Sequence, residues 1–213
     1  MAIITLTDIQ RAKQQGQLLP KNNTQFTVDS IADYNFHLVM KQLFLKLPVQ
    51  PLLNEHPQIA LWVNQVKKLA PELFKSKRKI LIDHEIYAPI ILDNQQEFVH
   101  IFTNLGFKRG VPKLYEWAVR HPVLSWQDRV KLWATSTQYS LLPEKLELVV
   151  IAVHPHETAQ KLNVSWNRKY HRQTEEWLMR LLNSNQSVES SPHRTNSNLT
   201  SLVNLDEIPE VKI

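Results

Sequence analysis

The feature that most constrains this chain is a switch of hydrophobic period part-way along it. Up to residue 69 the apolar residues recur at helical spacings. Asp29 or Ser30 is placed to cap a helix presenting Ile31, Tyr34, Leu38, Val39 and Phe44 on one face, ended by Pro48 and Pro51. Ile59, Trp62, Val63, Val66 and Leu69 repeat the pattern over 57–69, with Pro71 just beyond and a short Glu72-Leu73-Phe74 turn after it. From residue 79 the pattern changes. Runs rich in Ile, Val, Tyr and Phe cover 79–86, 87–92, 98–102 and 114–119, broken by Asp93-Asn94 and by Gly106 to Gly110. These predict three or four strands, the second and third joined by a turn.

Helical spacing returns after His121-Pro122, where Ser125 heads Ser125-Trp126-Gln127-Asp128, an N-terminal cap for a helix through Trp133 to Leu142. The apolar run 146–153, between Pro143 and Pro155, predicts a buried strand. Val164 begins one more short strand, and 170–182 reads as an amphipathic helix with Trp177, Leu178, Leu181 and Leu182 inward. The order predicts an α/β or α+β domain with a mixed central sheet flanked by helices.

With 213 residues, 43% hydrophobic and 21% charged, the chain suits one domain of ordinary size. Residues 1–28 are polar and Gln-rich around Pro20 and promise at most a short helix; 29–182 form the expected domain. The stretch 183–213, rich in Ser and Asn, has the composition of a disordered tail, although its apolar end from Leu202 could dock onto a protein partner. The absence of cysteine excludes disulfides, thiolate metal sites and cysteine nucleophiles. No secretory pattern opens the chain, and the longest apolar run, 148–153, is far below the roughly 20 residues of a membrane helix. The expectation is a cytoplasmic protein with no membrane contact.

The net charge of +5 is unevenly spread. The tail carries four acids (Glu189, Asp206, Glu207, Glu210) against Arg194 and Lys212, so the folded part is the basic part. Its bases fall in runs: Lys67-Lys68; Lys75, Lys77, Arg78 and Lys79; Lys108-Arg109; and Arg168, Lys169 and Arg172. Such runs are either solvated surface or phosphate contacts, since each neutralised phosphate releases a counterion.

Three segments carry a family resemblance: Asn35-Phe36-His37-Leu38-Val39-Met40 on the first helix, Leu114-Tyr115-Glu116-Trp117-Ala118-Val119 on a strand, and 146–153 on the strand after the central helix. In order and spacing the chain resembles a PD-(D/E)XK nuclease-like protein of the RecB-type exonuclease group, over residues 30–182. The resemblance implies a restriction-endonuclease-like αβββαβ core. It also implies a site in which two carboxylates hold a divalent cation on the scissile phosphate and a lysine two positions after the second activates water. Residues i and i+2 share a strand face, which sets that spacing. Here Glu116 matches the second carboxylate, but Ala118 stands where the lysine belongs. The first aspartate falls near Thr103 and Asn104, which supply no anion, and a further upstream acid matches Glu85 in Asp83-His84-Glu85. The implied remnant is Glu85 and Glu116, holding Mg²⁺ weakly if at all. Lys113 or Lys131 could replace the missing lysine, and His37 and Lys131 join the basic runs as candidate nucleic-acid contacts.

Other chemistry has less support. His154-Pro155-His156-Glu157 gathers two imidazoles and a carboxylate, but proline interrupts it and no second cluster has zinc spacing, so it reads as a surface turn. The six tryptophans sit at positions that suit core packing more than base stacking. Glu210-Val211-Lys212 lies in the tail with no strand pair around it. Three glycines cannot build a phosphate-cradling loop. Losing two members of a catalytic unit argues against unaided catalysis. The expected function is a non-cleaving nucleic-acid-binding or accessory protein without a cofactor, DNA being preferred to RNA as partner. The alternatives are a Mg-dependent nuclease with a displaced lysine and a protein-interaction scaffold.

Overall fold

In a computed structural model of the chain, which describes residues 2–16, 28–75, 80–108 and 110–189, the period switch becomes a six-stranded mixed sheet covered by helices. The elements run β1 (Ile3–Thr5), α1 (Leu6–Gly16), α2 (Val28–Phe44), α3 (Gln50–Glu55), α4 (Pro57–Leu69), β2 (Ile80–Leu92), β3 (Gln95–Lys108), β4 (Val111–Val119), α5 (Trp126–Gln138), β5 (Glu147–Val153), β6 (Gln160–Ser165) and α6 (Arg168–Glu189). The expected αβββαβ order is present as α2, β2, β3, β4, α5 and β5. Among the described residues no helix is long and apolar enough to cross a membrane.

β2 and β3 form one long antiparallel hairpin, closed at Asp93-Asn94. Both turn residues have positive φ, 46° and 63°, as a two-residue turn matched to strand twist requires. Two strands were expected where β2 is continuous, because its outward residues Tyr87, Pro89 and Ile91 blur the alternation of buried Ile86, Ala88, Ile90 and Leu92. β3 also runs through the expected break at Gly106. A Cβ there would sit 2.9 Å from the Tyr115 ring, so glycine serves close packing within the strand and no turn.

β4 and β5 are parallel neighbours, so α5 must cross over one face to connect them. Both are covered on two sides, which explains the unbroken apolar run of β5. Leu148 and Val150 face a core shared with Val130 and Trp133 of α5, Leu178 of α6 and Ile9 of α1. Tyr115, Trp117, Val149, Ile151 and Val153 face a second core with Phe36, Val39 and Met40 of α2 and Trp62, Val63 and Val66 of α4. Five of the six tryptophans are buried in these layers; Trp126 is partly buried, its ring 6.0 Å from that of Trp177. Ser125 caps α5 as expected: its hydroxyl accepts from the Asp128 amide and the Asp128 carboxylate accepts from the Ser125 amide.

Three expectations change. The N-terminal segment belongs to the fold: β1 pairs in parallel with β3, and Ile9 is fully buried. A strand of three residues is too short for a period signal, and the exposed glutamines of α1 mask its inward Ile9 and Ala12. The apolar face of α2 is Phe36, Val39 and Met40, whereas Ile31 and Tyr34 are exposed, and Asp29 and Ser30 lie inside the helix because it already runs at Val28. α6 continues past 182 to Glu189; the remainder of the tail, 190–213, lies outside the described residues.

A half-buried imidazole gives this core a pH dependence. His171 packs 6.5 Å from the Trp133 ring, and its enclosed Nδ1 has no hydrogen-bond partner among the described residues. Burial pushes its pKa below the ordinary 6.5, although Glu175 and Glu144 pull the other way. The unfolded chain therefore takes up a proton at higher pH than the folded one, and stability falls as pH drops through the window below about 6.5. Urea midpoints at pH 7.5 and 5.5 should differ less in His171→Leu than in the wild type.

Candidate functional site

Alternation along β4 assigns its residues to two faces. Tyr115 and Trp117 turn toward α2, while Glu116 turns toward α5. On the α2 side a shallow cleft of about 230 Å³ is lined by Tyr34, His37, Leu38 and Lys41 of α2, Ile82 and Asp83 of β2, Asn104 of β3 and Trp117 of β4. It is smaller than the roughly 300 Å³ at the low end of small-molecule pockets, so it fits one group of a larger ligand better than a whole metabolite.

A β-bulge shapes this cleft. Leu81 pairs with Leu105 and His84 with Thr103, so Ile82 and Asp83 together oppose Asn104. Asp83 takes φ of 49°, a region that aspartate tolerates better than most residues. Its amide donates to Asn104 Oδ1 at 3.3 Å, and Asn104 Nδ2 donates to the Tyr115 carbonyl at 3.3 Å. The buried Asn104 thereby ties the bulge to β4, and the Asp83 carboxylate pairs with Lys41. Two turns earlier on α2, Asp33 accepts from the Val119 amide and faces His37 Nε2, each at 3.3 Å. Burial opposes ionisation of Asp33, but the His37 contact, the Val119 amide and the Arg120 charge outweigh it and hold the carboxyl below its ordinary range.

The two carboxylates of the expected remnant are not brought together. Glu85 is exposed on the α2-side face, where it accepts from the Tyr87 hydroxyl at 3.0 Å and lies 4.0 Å from His100 Nε2. Glu116 is on the opposite face, paired with Lys131 of α5. Among the described residues no group of three potential metal donors includes either acid. On β4 the i, i+2 set that includes Glu116 faces α5, and the set that faces α2 is Tyr115 and Trp117. Of β3 and β4 the residues that reach the cleft are Asn104 and Trp117; Tyr115 is buried in the core on that side, and Thr103 points into the α5-side core. Lys113 is drawn to Glu147 at 2.6 Å and reaches neither acid.

The basic candidates also separate. Lys131 is mostly enclosed with Glu116, their side chains 13% and 12% exposed, so it is not a surface contact. Arg168, Lys169 and Arg172 lie on α6, on the α5 side of the sheet, where Arg168 pairs with Glu144 at 3.4 Å and Arg172 with Glu176 at 3.0 Å. His37 and Lys75 lie on the other side; Lys75 is exposed just beyond the short turn Pro71–Phe74, with exposed Lys67 and Lys68 in the last turn of α4 beside it. Lys67 Nζ stands 6.0 Å from the Phe74 ring centre. Lys108 ends β3, and Lys77, Arg78, Lys79 and Arg109 lie outside the described residues. Sequence reasoning missed Asp33, Lys41 and Asp83. A bulge cannot be read from one strand, so Glu85 was preferred to its neighbour Asp83.

No family model and no curated protein matches the chain. Among solved structures, that of SSO0001 is similar at a TM-score of 0.40 and 10% sequence identity, over 86% of this chain and 85% of that one.

The enclosed Glu116–Lys131 pair yields a test of what these residues do. Removing one partner leaves an unpaired charge in a mostly buried setting, whereas replacing both by apolar groups is often neutral. Glu116→Ala should cost about 3 kcal/mol, and Glu116→Leu with Lys131→Met should recover most of that loss, both read by urea denaturation.

Proposed function

We propose that this is a PD-(D/E)XK-like protein that binds nucleic acid and does not cut it. The αβββαβ order and the bulged hairpin beside α2 support the family reading. The observation that carries the functional one is the lining of the cleft. An amide and an indole, Asn104 and Trp117, occupy the cleft positions of β3 and β4, and the carboxylate that lines the cleft, Asp83, is paired with Lys41. That set offers a divalent cation no pair of anionic ligands, and the imidazole in the lining, His37, faces the Asp33 carboxylate.

Binding falls to the α4 side. Among the described residues no carboxylate forms an ion pair with Lys67, Lys68 or Lys75, in contrast to Arg168 and Arg172. In sequence Lys75 is followed closely by Lys77, Arg78 and Lys79. Five bases and Lys68 on one short stretch of chain suit a phosphate backbone, read for charge and not for sequence.

A second reading has one observation in its favour. Lys131, distant in sequence, does meet Glu116, as a displaced catalytic lysine would. It requires Mg²⁺-dependent cleavage that vanishes with Glu116.

The binding reading is tested by fluorescence anisotropy of labelled single- and double-stranded DNA across a salt series. The logarithm of affinity should fall linearly with that of salt, at a slope of about 0.9 per phosphate contact on duplex. Reversing Lys67, Lys68 and Lys75 to Glu should weaken binding at least about tenfold and flatten the slope. The same reversal of Arg168, Lys169 and Arg172 should do less. Absence of binding at low salt would overturn the proposal in favour of a protein partner.

A further inference from the structure

Beyond the cleft, a second set of chemically able side chains meets at the C-terminal ends of β4 and β5. The parallel ladder pairs Val119 with Val153, and the Arg120 amide donates to the Val153 carbonyl at 3.0 Å, which extends the pairing by one rung. The next residues on each strand are His121 and His154. Their rings lie 4.8 Å apart, inclined by 25°. The Trp62 indole, buried beneath, donates to the His154 carbonyl at 3.3 Å and fixes that backbone position. Glu157, on the connection to β6, brings a carboxylate to the same place, and one donor atom from each of the three residues lies within 4.8 Å of the others.

These donors converge without satisfying one another. His121 Nδ1 and Glu157 Oε2 are 3.9 Å apart, too far for a hydrogen bond. Two imidazoles and one carboxylate at an exposed edge are the donor set of a three-ligand zinc site, in which water takes the fourth position. Imidazole also suits copper and nickel, whereas the all-oxygen preference of Mg²⁺ and Ca²⁺ is unmet. Tetrahedral bonds of roughly 2.0–2.2 Å require the donors to close by about an ångström, and the side chains of His121 and Glu157 are 63% and 46% exposed, free to make that rotation. One contact must be given up. The His156 amide donates to His154 Nδ1 at 3.3 Å, and a metal-bound neutral imidazole either uses that lone pair or carries its proton there.

We infer that His121, His154 and Glu157 form a binding site for a divalent transition-metal ion of the zinc type. The ion ties the connection 154–159 to the end of β4 and keeps an open, water-filled position. The site is independent of the binding function proposed above. The sequence alone reads His154 and Glu157 as part of a surface turn, because His121, which completes the set, follows another strand.

The test uses untagged full-length protein, titrated calorimetrically with Zn²⁺ after treatment with a chelator. The expected result is one ion per chain. His121→Ala and His154→Ala should each weaken binding at least about tenfold, the scale reported for loss of even an outer-shell partner. Glu157→Gln should weaken it less, and His56→Ala should leave it unchanged. Zn²⁺ should also raise the melting temperature of the wild type and of His56→Ala, but not of His121→Ala. Binding that is absent, not stoichiometric, or equal in the wild type and in His121→Ala would overturn the inference.

Discussion

The parallel pairing of β4 with β5 is the constraint on which the rest of this structure depends. Parallel neighbours need a crossover, and α5 supplies it on one face, leaving the other face to α2 and α4. Both strands are then buried on two sides, so each side chain along β4 is committed to one core or the other. Parity on β4 decides what can meet: Tyr115 and Trp117 face α2, where Trp117 lines the cleft, and Glu116 reaches Lys131 on α5. A one-residue change of register would exchange the two sets entirely.

Polar contacts tie the walls of the cleft together. Asn104 bridges the bulge at Asp83 to the backbone of Tyr115, and Asp33 fastens the start of α2 to the end of β4 through the Val119 amide. Asn104 spends its hydrogen bonds on backbone, and Asp33 divides its own between the Val119 amide and His37, which fits a structural role at positions where metal ligands would otherwise be sought. The same strand ends also set out His121 and His154, so one ladder organises the cleft on its flank and the imidazole pair at its tip.

Much of the fold was legible in the sequence, because long periodic segments carry their own signal. The repeat over 57–69 gave α4 at its observed bounds, Ser125 gave the start of α5, and the apolar run at 146–153 gave a strand buried on both faces. β1 was not legible, since three residues cannot show a period, and neither was the continuity of β3 through Gly106, where the reason for glycine is the ring of Tyr115 on the next strand. The candidate site was less legible still. Asp83 enters the cleft through a bulge defined by its partner strand, and Glu116 leaves it through a parity that only the packed sheet fixes. The basic runs were visible, but their division between the α4 and α6 sides follows from which face each helix covers.

The central proposal is that the protein binds nucleic acid without cutting it. Its most direct test is a single-turnover assay with protein in excess over end-labelled DNA, in Mg²⁺ and separately in Mn²⁺, scored on one gel for retardation and for product. The account predicts retarded DNA that stays intact as long as the protein-free control. Product that accumulates with either metal and disappears in Glu116→Ala would contradict it, and would make the Glu116–Lys131 pair a catalytic remnant rather than a buried strut.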